Sequence, residues 1–99
     1  MKIIWTARSE NDLLEIGRFI AKNNRTAARQ WTAKLKKKAY EASRNPKAGR
    51  QVPEFEREDI REVLLKSYRI VYQVQTKHIE ILTVFEGHRL LPIESPDSA

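Results

Sequence analysis

The chain has 99 residues, 40% hydrophobic and 32% charged, with three glycines and four prolines, an ordinary globular composition with room for one compact core. It has no cysteine, which excludes a disulfide framework, a thiolate zinc site and a cysteine nucleophile; with only His78 and His88, neither a closed metal site nor a cofactor is expected. Lys and Arg number 19 against 13 Asp and Glu, leaving +6 at pH 7 and a pI near 9.8, a field that draws anionic partners without choosing among them. No apolar run approaches the roughly 20 residues of a membrane helix, and the short Ile3-Ile4 start is no secretory signal, so a cytoplasmic protein without a membrane partner is expected.

Residues 2–6, Lys-Ile-Ile-Trp-Thr, are β-branched and aromatic and predict a strand. Thr6 or Ser9 then offers an N-cap, Ser9 through the Ser9-Glu10-Asn11-Asp12 capping pattern. Leu13, Ile16 and Ile20 recur at three and four residues, an apolar stripe on a helix that Asn23-Asn24 ends. A second helix opens with Thr26 as its cap, carries Ala28, Trp31, Leu35, Ala39 and Ala42 on one face, and runs to about Ser43 before Asn45-Pro46 stops it. Arg25, Arg29, Lys34, Lys36, Lys37 and Lys38 load this second helix with most of the positive surplus.

Residues 46–59, with Pro46, Pro53 and the acidic set Glu54, Glu56, Glu58 and Asp59, predict a loop. Three strand-like runs follow, Ile60 to Lys66, Tyr68 to Gln75 and Ile79 to Phe85, separated by turns short enough to make them antiparallel neighbours. By strand parity Tyr68, Ile70, Tyr72 and Val74 share one face and Arg69, Val71 and Gln73 the other, while Ile79, Ile81, Thr83 and Phe85 oppose Leu82 and Val84. Both faces of the sheet are partly apolar and two helices cover only one, so the other needs an oligomer contact, the C-terminal tail or another protein, and a partner segment is the cover expected. The expected architecture is α+β, a helical hairpin packed on a small antiparallel sheet, with one domain over residues 1–91 and a flexible tail over 92–99.

Each singled-out side chain also has a plain structural role to fill. Arg69 would pair with Glu62 or Glu80 across the strands, worth under about 1 kcal/mol. Trp5, Trp31, Tyr68 and Tyr72 sit at apolar phases and read as core anchors. Gly49 and Gly87 read as turn residues, since no phosphate-cradling glycine loop exists. His78 reads as an exposed turn residue and His88 as a residue at a strand-end bend.

Trp5-Thr6-Ala7 with Asp12-Leu13 and Ile16, Ala27-Ala28-Arg29, Asn45-Pro46 with Gly49-Arg50, Val52-Pro53-Glu54, Ile60-Arg61-Glu62, Tyr68-Arg69-Ile70-Val71-Tyr72, and Ile79-Glu80-Ile81-Leu82 through Gly87-His88-Arg89 occur in this order. Over residues 5–92 this set resembles the ParE/RelE toxin superfamily. The resemblance implies a β-α-α-β-β-β toxin of a bacterial type II toxin-antitoxin module, neutralised by a cognate DNA-binding antitoxin, as a homodimer or a toxin-antitoxin hetero-oligomer. It implies one of two targets, DNA gyrase for ParE-like members or ribosome-bound mRNA for RelE-like endoribonucleases.

Metal-independent RNA cleavage needs a base, an acid and cations around the phosphate. In the RelE-like pattern Arg69 and Arg89 stand at phosphate-binding arginines and Arg61 at the first lysine of a basic pair. Val63 stands at the second lysine and Ser95 at the tyrosine, leaving two roles vacant. The Val52-Pro53-Glu54, Ile60-Arg61-Glu62 and Tyr68-to-Tyr72 wording is closer to ParE, so gyrase inhibition without catalysis is expected. An mRNA interferase using Arg61, Arg69, His88 and Arg89, with His88 as acid or base, is the alternative, and a non-toxic family member a third. Arg61, Arg69, Val71, Leu82, Val84, His88 and Arg89 are the residues expected to meet the antitoxin or the target.

Overall fold

The computed structural model describes residues 1–96. In chain order these form β1 (Lys2–Trp5), α1 (Ala7–Ala21), α2 (Arg25–Arg44), a 3-10 turn (Pro46–Ala48), β2 (Arg50–Gln51), β3 (Ile60–Leu65), β4 (Tyr68–Val74) and β5 (His78–Glu86). The strands make one mixed sheet in the order β1-β5-β4-β3-β2. β1 runs parallel to β5, and every other pair is antiparallel. The α+β architecture and the three-strand meander are as expected; β2, inside the segment expected to be loop, adds a fifth strand. Among the described residues no helix is long and apolar enough to cross a membrane.

Tertiary bonds decide the helix starts. Thr6 caps α1, its Oγ1 accepting from the Ser9 amide at 3.1 Å and donating to the Ile81 carbonyl at 2.8 Å. That second bond anchors the cap to β5, and Ser9, the competing candidate, is buried one turn inside the helix. α2 is capped by Asn24, whose side chain accepts from the Ala27 amide at 3.0 Å, and not by Thr26. Asparagine is at least as good an N-cap as threonine, and starting there shortens the interhelix turn.

Leu13, Leu35, Ala39 and Ala42 of the helices meet Ile70, Tyr72, Ile79, Ile81 and Val84 of the sheet in one buried cluster. Here the expected parity of β5 fails. Val71 pairs with Thr83, but Tyr72 pairs with Ile81, so Leu82 is the extra residue of a β-bulge. The bulge resets the alternation: Val84 joins Ile79 and Ile81 under the helices, and Phe85 turns to the opposite face. Asp12 of α1 holds the bulge, its Oδ2 accepting from Thr83 Oγ1 at 2.6 Å and from the Val84 amide at 3.1 Å. Asp12 thus serves the sheet, not a capping box.

The second face of the sheet is not left open, contrary to expectation. Val52, Ile60, Val71 and Phe85 are buried there, and Phe55, Leu82 and Leu91 pack against them. The 52–59 loop turns back at Val52, whose carbonyl accepts from the Phe55 and Glu56 amides at 3.1 and 3.0 Å, and lays Phe55 on the strands. Arg57 fastens the chain's end to this loop, donating to Ser95 Oγ at 3.0 Å and to the Pro96 carbonyl. Residues 97–99 of the expected tail lie outside the described residues. Replacing Asp12 by alanine leaves the bulge amide and the Thr83 hydroxyl unpaired, and we expect a loss of about 1–3 kcal/mol, read as a lower urea midpoint at unchanged slope.

Candidate functional site

On the loop-covered face, a buried carboxylate organises the charged residues. Arg50 lies opposite Glu62 in the β2–β3 ladder, and Arg69 sits on the adjacent strand β4. The Glu62 side chain is fully buried and accepts from Arg50 Nε and Arg69 Nε, both at 2.6 Å. The same Arg69 guanidinium forks onto Glu54 of the loop, Nη1 and Nη2 donating at 2.8 and 2.7 Å, the bidentate geometry that suits a carboxylate. Its carbon lies 5.0 Å from the Phe85 ring centroid, a cation–π arrangement.

The chain Arg50–Glu62–Arg69–Glu54 therefore carries no net charge, and the Arg69 side chain is 12% exposed. The hydrogen bonds from Arg69 hold the Glu54 carboxyl below its ordinary value, against the opposing pull of burial. Glu54 in turn raises the Arg69 guanidinium, so it stays charged at every practical pH. Glu62 was one of the two partners expected for Arg69, while Glu80 is not involved. The pair is not the exposed cross-strand contact expected: the Glu62 side chain is wholly buried, so desolvation offsets much of the attraction.

Arg61 is on the other side of the sheet. Strand alternation puts it with Val63 and Leu65, which pack in the helix-facing cluster, and opposite Tyr72. Its guanidinium donates to the carbonyls of Gly49 at 2.9 Å, Lys47 at 3.3 Å and Glu58 at 3.0 Å, fixing the chain around β2. A Cβ on Gly49 would overlap the Tyr72 hydroxyl, which donates to the Pro46 carbonyl at 2.5 Å; Gly49 is required by close approach rather than by a turn. Arg61 and Arg69 are thus not brought together.

His88 and Arg89 follow β5 and are exposed, His88 against Glu86. Gly87 ties this bend to the β3–β4 turn through its amide, 2.6 Å from the Ser67 carbonyl. Val71 and Val84, expected at the binding surface, are 0% and 2% exposed in the two cores and offer no surface, while Leu82 is half-buried in the second core. His78 begins β5, half-buried, with Nε2 3.7 Å from Glu80. Glu54 and Arg50 were missed as partners of this network; the acidic run 54–59 was visible, but which of its members reaches back over the sheet depends on the fold of the loop.

A concavity lies between the helices, a groove of about 740 Å3 lined by Leu13, Leu14 and Ala28 together with three cations, Arg18, Arg29 and Lys36, and one acid, Glu10. Leu14, in its lining, is 57% exposed.

A family model described as the ParE toxin of the type II toxin-antitoxin system parDE matches residues 3–91. The chain belongs to the ParE toxin family. Among solved structures it is similar to the chromosomal ParDE system from P. aeruginosa, with a TM-score of 0.72 at 19% identity, covering 87% of this chain and 95% of that one. At that identity the likeness shows a shared fold. No curated protein matches the sequence. The ParE match agrees with the branch indicated by Val52-Pro53-Glu54 and Tyr68 to Tyr72.

Two outcomes test the site. Glu62→Gln removes the buried negative charge between Arg50 and Arg69; because Arg69 keeps Glu54 and Arg50 is half-exposed, it should cost about 1–3 kcal/mol in chemical denaturation. Glu54 has a folded-state pKa below its ordinary 4.5, so its contribution to stability is fully present above that value and disappears as pH falls through the lowered one. Asp59, lowered from 3.8 by its hydrogen bond to Gln73 and then by Arg57, acts in the same direction. The urea midpoint should fall with pH below about 4.5, and less steeply in Glu54→Gln.

Proposed function

We propose that this ParE-family toxin acts by binding DNA gyrase and blocking replication, without chemistry of its own, and that a cognate antitoxin neutralises it. The observation that carries this reading is the separation and neutralisation of the candidate nuclease cations. Arg69 is bound to two carboxylates on one face of the sheet. Arg61 is bound to three carbonyls on the other. A phosphate-cleaving centre needs cations converging on one point with donors to spare, and only Arg89 and His88 remain exposed. The ParE family match supports the gyrase branch over the mRNA branch. This reading puts the site of action in the cytoplasm.

With the second sheet face covered by the chain itself, the interhelix groove is the surface that fits an antitoxin. Its apolar lining and its Arg18, Arg29 and Lys36 suit an amphipathic acidic segment laid along the hairpin.

Purified protein added to gyrase should inhibit supercoiling of relaxed plasmid, and induced cells should filament with the SOS response. Unchanged supercoiling at excess toxin, together with primer-extension stops in a reporter transcript that vanish in Arg69→Ala and His88→Ala, would transfer the function to mRNA cleavage. For the antitoxin, Leu14→Asp should weaken the complex with the product of the adjacent reading frame by at least about tenfold, the order expected for loss of an apolar anchor.

A further inference from the structure

α2 carries seven Lys and Arg residues and a single acid, Glu41. Among the described residues none of the seven has a carboxylate within 4 Å. Six of them divide into two stripes, with Arg25 apart in the first turn. Arg29 and Lys36 face the groove beside apolar side chains. Lys34, Lys37 and Arg44 are exposed on the outer side of the helix, away from its buried Ala28, Leu35, Ala39 and Ala42, and the half-buried Lys38 edges the same stripe. Like charges on successive turns destabilise a helix, so helix stability does not account for the repetition of cations along this side.

We propose that this outer stripe docks on the phosphate backbone of double-stranded DNA, independently of base sequence. Lys34 to Arg44 spans about 15 Å of a straight helix, against which duplex DNA presents about nine phosphates. Phosphate contacts need only cations and a rigid support. An acidic protein segment needs several apolar anchors as well, and single-stranded RNA a run of aromatic rings on which successive bases stack. Trp31, under Lys34 at 5.4 Å, is turned inward onto Tyr68 with ring centroids 5.8 Å apart, which leaves Tyr40, 56% exposed and four residues before Arg44, as the single exposed ring of α2 beside the stripe. Glu41 lies within the stripe and opposes the field. The contact needs no gyrase and stands apart from the choice of target; on a DNA-bound target it would hold the toxin at its site of action.

The test is fluorescence anisotropy of the full chain with two labelled 20-base-pair duplexes of unrelated sequence across a salt series, with no gyrase present. Both duplexes should bind alike, with affinity falling about a hundredfold between 50 and 200 mM salt for four phosphate contacts. The combined variant Lys34→Gln, Lys37→Gln, Lys38→Gln and Arg44→Gln keeps helix propensity and should bind at least about tenfold more weakly with a nearly flat salt dependence. Glu41→Gln should bind more tightly. Arg18→Gln with Arg29→Gln and Lys36→Gln should leave the affinity within about threefold, because phosphate contacts act locally. Equal losses from the two sets would make the attraction one of net charge and overturn the proposal, as would tighter binding of a single-stranded RNA of the same length or of an acidic peptide. Circular dichroism confirms that each variant is folded.

Discussion

A carboxylate with no solvent exposure, Glu62, sits between two arginines, and much of the molecule is arranged around the need to keep it paired. A lone buried charge costs several kcal/mol, and even a paired one is stabilising only when its remaining lone pairs are used. Glu62 uses one oxygen for Arg50 and the other for Arg69. Arg50 is delivered by a two-residue strand that Arg61, through the Gly49 carbonyl, and the buried Val52 hold to the sheet. Arg69 brings with it Glu54, and with Glu54 the loop whose Val52 and Phe55 close the second core. The ion-pair chain and the apolar cover are therefore one construction: removal of the charge network loosens the lid, and loss of the lid exposes the network to water.

This arrangement also determines what the surface can do. The arginine at the position of a nuclease phosphate ligand has all three guanidinium nitrogens bonded to carboxylates, and its counterpart Arg61 is turned to the opposite side of the sheet to hold loop carbonyls. Two exposed features stand out: an apolar groove edged with cations between the helices, and a stripe of cations around Glu41 on α2. These are the surfaces to which the proposals above assign recognition.

The elements themselves were legible. Apolar residues at three- and four-residue spacing marked both helices, and alternating β-branched runs marked the meander, because those periods follow from backbone geometry alone. Finer features depended on contacts between distant residues. Thr6 outcompetes Ser9 as a cap because β5 supplies a carbonyl for its hydroxyl. Leu82 bulges where Asp12 of α1 reaches in, and that one residue reverses the facing of Val84 and Phe85. The short β2 is held by distant partners, Glu62 on Arg50 and Arg61 on the Gly49 carbonyl. The expectation of an open sheet face failed for a related reason: Val52, Phe55 and Leu91 lie in segments without periodicity, and strand parity says nothing about loops that fold back. At the site, the Arg69–Glu62 pair was readable from adjacent strands, whereas Glu54 was one acid among four until the loop was seen.

The central claim is that Arg69 is bound into a structural network through Glu62 and is not held in reserve for chemistry. A double-mutant cycle of Glu62→Gln and Arg69→Gln, measured by urea denaturation, tests it directly. The account predicts a coupling energy above about 1 kcal/mol, with the double variant far less destabilised than the sum of the singles. Additivity within about 0.5 kcal/mol would mean that the two side chains do not act together, and would contradict it.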